Sequence, residues 1–192
     1  MVLHYEYCPL CGRKLSLRST SEDGLVPYCG SCNKMWYDSF PSAVIVLTHN
    51  EYNEVVMTRQ SHLTSRHWMY NSGFILPGEN AEHAAAREIR EELGIEIQSL
   101  ESLGTYWFRG GVLMIAYLAF CPKCEFHLSD EVEEAVWVDV KKAAELAGPV
   151  RAGCADFAMM VDYVKKFDLC DPDELWPGQT IERPARISDL IQ

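Results

Sequence analysis

Apolar, largely β-branched residues run unbroken over residues 43–47, and a second strand-like stretch, Glu54 to Thr58, follows. Between them lies the polar segment His49, Asn50, Glu51, Tyr52 and Asn53, so the pattern predicts a β-hairpin. Ala85, Ile89 and Leu93 then recur at every fourth position, the period of one helix face. Asn80 offers a side-chain cap before that face and Gly94 stands where a left-handed cap would end it, which predicts a helix over 81–93. Strand-like stretches follow at 95–108 and 112–120 on either side of Gly110 and Gly111, with another at 135–140. Helices are expected near 141–147 and 155–167. Beyond 170, Pro172, Pro177 and Pro184 interrupt a segment without a clear period, which predicts irregular chain over 171–192.

The first forty residues follow a different logic. Cys8 and Cys11 form one C-x2-C pair and Cys29 and Cys32 another, at the spacing of a four-cysteine zinc site. Gly12 and Asn33 come just after the second cysteine of each pair, where a knuckle needs positive φ. So short a segment cannot hide enough apolar surface to fold alone, whereas structural Zn²⁺ supplies roughly 10–16 kcal/mol in comparable peptides. Arg13, Lys14, Arg18 and Lys34 balance Glu6, Glu22, Asp23 and Asp38 here, so a packing role is favoured over DNA binding. Pro41 marks the expected boundary, giving a zinc ribbon over 1–40, a catalytic domain over 41–170 and a tail over 171–192.

Length and composition agree with one sizeable core and a small appendage: 192 residues, 48% of them hydrophobic. The net charge of -11 argues against holding nucleic acid by phosphate neutralisation. The sequence shows neither a run of 18 apolar residues nor a secretory leader pattern, so the expectation is a cytoplasmic protein with no membrane partner. In that setting eight cysteines read as metal ligands and free thiols. Cys121 and Cys124 are expected in a hairpin turn, Cys154 and Cys170 as unligated thiols, and His62 and His67 as surface or packing residues.

The chemistry lies on the helix over 81–93. Glu88, Glu91 and Glu92 stand at i, i+3 and i+4, so three carboxylates share one side. Like charges at these spacings oppose one another until a hard cation sits among the oxygens, which makes them candidate Mg²⁺ or Mn²⁺ ligands. Without further context, a solvated acidic face would be the more common explanation.

The context is Gly73-Phe74-Ile75-Leu76-Pro77-Gly78-Glu79, seven residues, then Arg87-Glu88-Ile89-Arg90-Glu91-Glu92-Leu93-Gly94-Ile95. This resembles the box of the Nudix hydrolases, G-x5-E-x7-R-E-U-x-E-E-x-G-U, at every specified position. Average residue usage gives an accidental match on the order of 10⁻¹⁰ per starting point, so chance is no competitor. The resemblance implies an α/β/α sandwich on a mixed sheet. It also implies Mg²⁺ or Mn²⁺ held by Glu88, Glu91 and Glu92, with Arg87 orienting the glutamates, Glu79 bracing Arg87, and Gly73 keeping the loop close. Glu131 is the best match for a further acid from outside the box, with Glu134 in reserve. The ions would neutralise diphosphate oxygens and activate a water, with Glu91 first and Glu131 second as the general base.

A zinc ribbon followed by residues 40–46 and the loop at 72–79 resembles the NADH pyrophosphatases in particular. Such a resemblance implies cleavage of NAD(H) to nicotinamide mononucleotide and AMP, with NAD-capped RNA as a candidate partner and a homodimer as the assembly. The subfamily's S-Q-P-W-P-F-P-x-S stretch is represented here by residues 104–112, where only Trp107 lines up. ADP-ribose, FAD, a nucleotide sugar or a dinucleoside polyphosphate therefore stay open as substrates. Trp107 is the leading candidate to stack on a base, ahead of Tyr106 and Trp68, and Arg109 is a candidate phosphate partner. Gly73 and Glu79 join Trp107 on the substrate side. The competing class is a nucleotide-sensing or RNA-binding module that keeps the fold without turnover.

Overall fold

A computed structural model describes residues 3–60, 67–108, 110–151 and 154–181. His62, Arg109 and Pro184 lie outside the described residues. The chain divides into two compact units, the first ending at Pro41 and also taking in Gly110–Val112, the second beginning at Ser42.

In the first unit three short strands, β1 (Ser16–Thr20), β2 (Gly24–Cys29) and β3 (Lys34–Met35), pair antiparallel in that order. Gly12 and Asn33 hold φ of 71° and 51°, as knuckle geometry requires. The Gly12 amide closes the first knuckle on the Cys8 carbonyl at 2.8 Å. Among the described residues up to Pro41, the buried ones are Cys8, Val26 and Cys29, far too few for an apolar core, so the sulfurs stand at the centre.

The second unit is built on a six-stranded sheet. Its strands are β4 (Ser42–His49), β5 (Val55–Gln60), β6 (Asn71–Phe74), β7 (Ser99–Phe108), β8 (Val112–Phe120) and β9 (Val132–Val138). The order is β7-β8-β4-β5-β9, with β6 on β4. β4 runs parallel to β8 and antiparallel to β5 and β6, so the sheet is mixed. Only His49↔Val55 joins β4 to β5, while Ala43–Val46 pair with β6 instead. The predicted hairpin thus forms only at its turn, where the Asn50 side chain accepts from the amides of Tyr52 and Glu54 and Asn53 takes φ 57°.

Alternation along β4 sorts the core into two layers. Val44 and Val46 face α1 (Ala81–Leu93), packing with Ala84, Ala85, Ile89 and Leu93. Ile45 and Leu47 face the other way, with α2 (Val140–Ala147) and α3 (Ala155–Lys166). Helices on both faces of a mixed sheet make an α/β/α sandwich. Each fully buried aliphatic side chain contributes about 1.5–3 kcal/mol. α1 has the expected ends: the Asn80 side chain accepts from the His83 amide, and Gly94 at φ 70° returns its amide to the Arg90 carbonyl. Among the described residues, no helix is long and apolar enough to cross a membrane.

Two further expectations change. The strand predicted at 135–140 begins at Val132 and ends at Val138, because the Asp139 side chain caps α2 by accepting from Lys141 and Lys142. Cys121 and Cys124 open the long connection from β8 to β9, which are not sheet neighbours, so they do not form a hairpin turn. Past residue 170 the chain still contributes to the core. A 3₁₀ turn at Pro172–Glu174 leads to Trp176, which is buried, packs edge-on against Phe157 and donates from Nε1 to the Gly148 carbonyl at 2.9 Å.

Candidate active site

The loop between β6 and α1 and the outer side of α1 meet at Arg87. Its Nε and Nη2 donate to the two oxygens of Glu79 at 2.8 and 3.0 Å, a bidentate fork that only arginine can make. Nη2 also donates to the Phe74 carbonyl at 3.0 Å, tying the loop to the helix. From the other side, Nη1 reaches Glu88 at 2.7 Å and Glu91 at 3.0 Å. The Arg87 hydrogen bonds hold the Glu79 carboxyl below its ordinary pKa. Glu79 in turn is the chief reason that the Arg87 guanidinium is held more firmly charged.

The three helix carboxylates sit at different depths. Glu91 is open to solvent, its side chain 59% exposed, whereas Glu88 is largely enclosed. Glu92 is 4% exposed and accepts a hydrogen bond from Asn71 on β6. Burial raises the Glu88 pKa, opposed by Arg87 and assisted by the charges of Glu91 and Glu131. The Glu92 carboxyl is pushed up to about 7, first by desolvation and then by Glu88, Glu131 and Glu91. Carboxylate oxygens are the donors a hard divalent cation takes, but among the described residues the glutamate oxygens are not gathered within 4.8 Å of one another as the cysteine sulfurs of the first unit are.

Glu131 arrives from the β8–β9 connection, which is strapped to the end of α1. The His127 amide donates to the Leu93 carbonyl at 2.9 Å and the Ser129 amide to that of Glu92 at 3.1 Å. The Glu131 charge is felt by both Glu88 and Glu92. Glu134, the reserve, is paired with Arg59 at 3.0 Å on β5. Gly73 is close to Glu88 for a steric reason: a Cβ there would stand 1.9 Å from the Glu88 Cδ.

Among the described residues, the aromatic candidates separate. Trp107 is 53% exposed near the end of edge strand β7, while Tyr106 and Trp68 pack against the core on the α2 and α3 side. Three strand steps of about 4.8 Å put β7 roughly 14 Å from β5 in the sheet. His67 is exposed. The pattern of residues did not point to Asn71 and Gln60, both buried and both hydrogen-bonded to Glu92. The one available signal was a polar residue two positions before Gly73, in a stretch too short to show a period.

In the first unit, the ligand atoms of Cys8, Cys11, Cys29 and Cys32 all lie within 4.8 Å of one another. The Sγ separations are 3.9 Å for Cys8 and Cys32 and 3.6 Å for Cys11 and Cys29. Zn–S bonds of about 2.3 Å in a tetrahedron require sulfurs about 3.8 Å apart, so the cluster is compatible with a zinc ribbon.

A family profile described as "NUDIX domain" matches residues 39–157, which span the sheet, α1 and the glutamates. The chain belongs to the NUDIX family. Among curated relatives it is 27% identical over 148 residues to the NAD-capped RNA hydrolase NudC of Chromobacterium violaceum, covering 76% of this chain and 54% of that protein. It is 31% identical over 155 residues to Nudix hydrolase 19, chloroplastic, of Arabidopsis thaliana, covering 74% and 35%. The chain therefore spans about half, or less, of the curated relatives it matches. Solved NUDIX structures share the fold. The NUDIX domain of Shewanella oneidensis NrtR superposes with a TM-score of 0.55 at 16% identity, covering 73% of this chain and 93% of that one. A NUDIX hydrolase from Nitrosomonas europaea gives 0.53 at 20%, covering 70% and 78%.

Proposed function

We propose that this chain hydrolyses the diphosphate linkage of a nucleoside diphosphate derivative, using Mg²⁺ or Mn²⁺ held by Glu88, Glu91, Glu92 and Glu131. The observation that carries this reading is the glutamate face of α1, with Glu88 and Glu92 enclosed and Glu91 open to solvent, organised by Arg87 and Glu79. Bound there, a divalent ion would supply positive charge to the diphosphate oxygens and Lewis acidity at phosphorus. Arg87 holds Glu88 and Glu91 in place, and Gly73 leaves room for Glu88. Glu91, the most exposed of the three helix carboxylates, is the first choice to accept a proton from the attacking water, with Glu131 the second.

The preferred substrate is NAD(H), cleaved to nicotinamide mononucleotide and AMP, with an NAD-capped RNA end as its larger counterpart. Support comes from the ribbon and NUDIX arrangement and from relatives named as NAD-capped RNA hydrolases. Trp107 is exposed as a stacking residue should be, and base–aromatic stacking is worth about 1–3 kcal/mol.

The test is a panel of NADH, NAD, ADP-ribose, FAD and nucleotide sugars, each with Mg²⁺ and Mn²⁺, with products identified by mass. Two mononucleotide products from NAD(H), abolished by Glu91→Gln, are expected. Turnover of none of the substrates would sink the hydrolase reading, and turnover of another panel member alone would move the specificity there.

A further inference from the structure

Glu92 is the most deeply placed of the three helix carboxylates, and it is gripped by two amides from the sheet. Asn71, 2% exposed on β6, donates from Nδ2 to Glu92 Oε2 at 2.7 Å. Gln60, 8% exposed at the end of β5, hydrogen-bonds the same carboxylate. Gln60 faces the α1 side of the sheet by plain alternation along β5, where Val55 and Met57 pack on the far side and Val56 on the α1 side. The β5–β9 register slips by one where Arg59 opposes Glu134 and Gln60 opposes Val132, and the extra residue, Glu133, lies on β9. Asn71 is held by its pairing with Val46 on β4. Its Oδ1 is buried and accepts no hydrogen bond, so the amide contributes to Glu92 as a donor alone.

We propose that Asn71 and Gln60 are positioning residues that fix the Glu92 carboxylate for a divalent cation. The inference rests on the hydrolase reading and deepens it. A short, unbranched carboxylate side chain with free torsions would lose entropy on binding the ion. Two donors from strands β5 and β6 remove that freedom beforehand. Neither amide belongs to the acidic box, and each acts through Glu92 rather than on the substrate.

The test measures Mn²⁺ affinity by electron paramagnetic resonance, without substrate, in the wild-type chain, Asn71→Leu, Glu92→Gln and the double variant. Loss of an outer-shell partner costs about 10–100-fold in metal affinity. Asn71→Leu is expected to weaken Mn²⁺ by that factor in the wild-type background and to change it little beside Glu92→Gln. A purely packing role would give the same loss in both backgrounds and overturn the inference, as would unchanged affinity. Should Asn71→Leu not fold, Gln60→Leu enters the same cycle from the other strand with the same expectation. A wild-type chain that takes up no Mn²⁺ sinks the hydrolase reading itself and the amide clamp with it, an outcome visible before any variant is compared.

Discussion

Gly73 on β6 and Glu88 on α1 compete for one volume: the Cβ that any other residue would add at 73 falls 1.9 Å from Cδ and 2.1 Å from Oε1 of Glu88. Glycine there leaves the space in which the Glu88 carboxylate sits, with no contribution from φ. Gly73→Ala should therefore expel Glu88 from its place beside Arg87. A displacement of about 1 Å at a reacting centre costs on the order of 10²-fold in rate. Steady-state kinetics on the preferred nucleotide would measure it, and wild-type turnover by the alanine variant would refute it.

Arg87 contributes by shape as well as charge. Arg87→Lys keeps the charge but cannot bridge both Glu79 oxygens while also holding Glu88, Glu91 and the Phe74 carbonyl. Hydrogen bonds to charged groups are each worth about 1.5–3 kcal/mol, and solvent reaching Glu91 weakens that contact. The expected result is a lower urea midpoint together with a fall in kcat. An unchanged midpoint would mean that lysine satisfies the same loop.

Gly94 carries two constraints at once. Its φ of 70° disfavours a side chain, and a Cβ would approach the His127 Cβ to 2.7 Å. Gly94→Ala should cost about 1–3 kcal/mol, lowering the thermal midpoint by roughly 2–4 °C per kcal/mol for a domain of this size. It should also loosen the strap that carries Glu131, so activity should fall further than Tm alone explains.

Four clustered cysteines in a unit with little else buried lead to a prediction of structural zinc. Metal analysis should find near-stoichiometric zinc, lost in the Cys8→Ser, Cys29→Ser double variant. Chelation should collapse the near-ultraviolet signal of Trp36, over which Lys34 is placed at 4.9 Å. Unchanged zinc content in that variant would end the zinc assignment.

Cys121 is buried and its pKa is raised to about 12, chiefly by burial and then by Cys124. An unfolded Cys121 ionises near the reference value of 9.0, so above that pH the unfolded chain holds fewer protons than the folded one. Its contribution is complete below pH 9 and declines as pH rises toward 12. Denaturation between pH 8 and 11 should show this decline, and Cys121→Ala should flatten it. At pH 8 an alkylating reagent should modify exposed Cys124 before buried Cys121.

Local features were legible without any fold. The ends of α1, its apolar face and its three glutamates follow from Asn80, Gly94 and the period of Ala85, Ile89 and Leu93, because caps and helix faces depend on residues within one or two turns. The cysteine pairs were equally plain, since metal spacing is a property of the local chain. Partners far apart in sequence were decided only by packing. Strand β6 is too short for alternation to show, and its place beside β4, rather than β5, is a matter of sheet pairing. That pairing buries Asn71 against Glu92, 21 positions away. It also sets Gly73 against Glu88. The sequence determined which carboxylates could share a helix face with Arg87; the tertiary structure decided how deeply each is enclosed, because desolvation and the charge of Glu131 come from chain brought together only by folding.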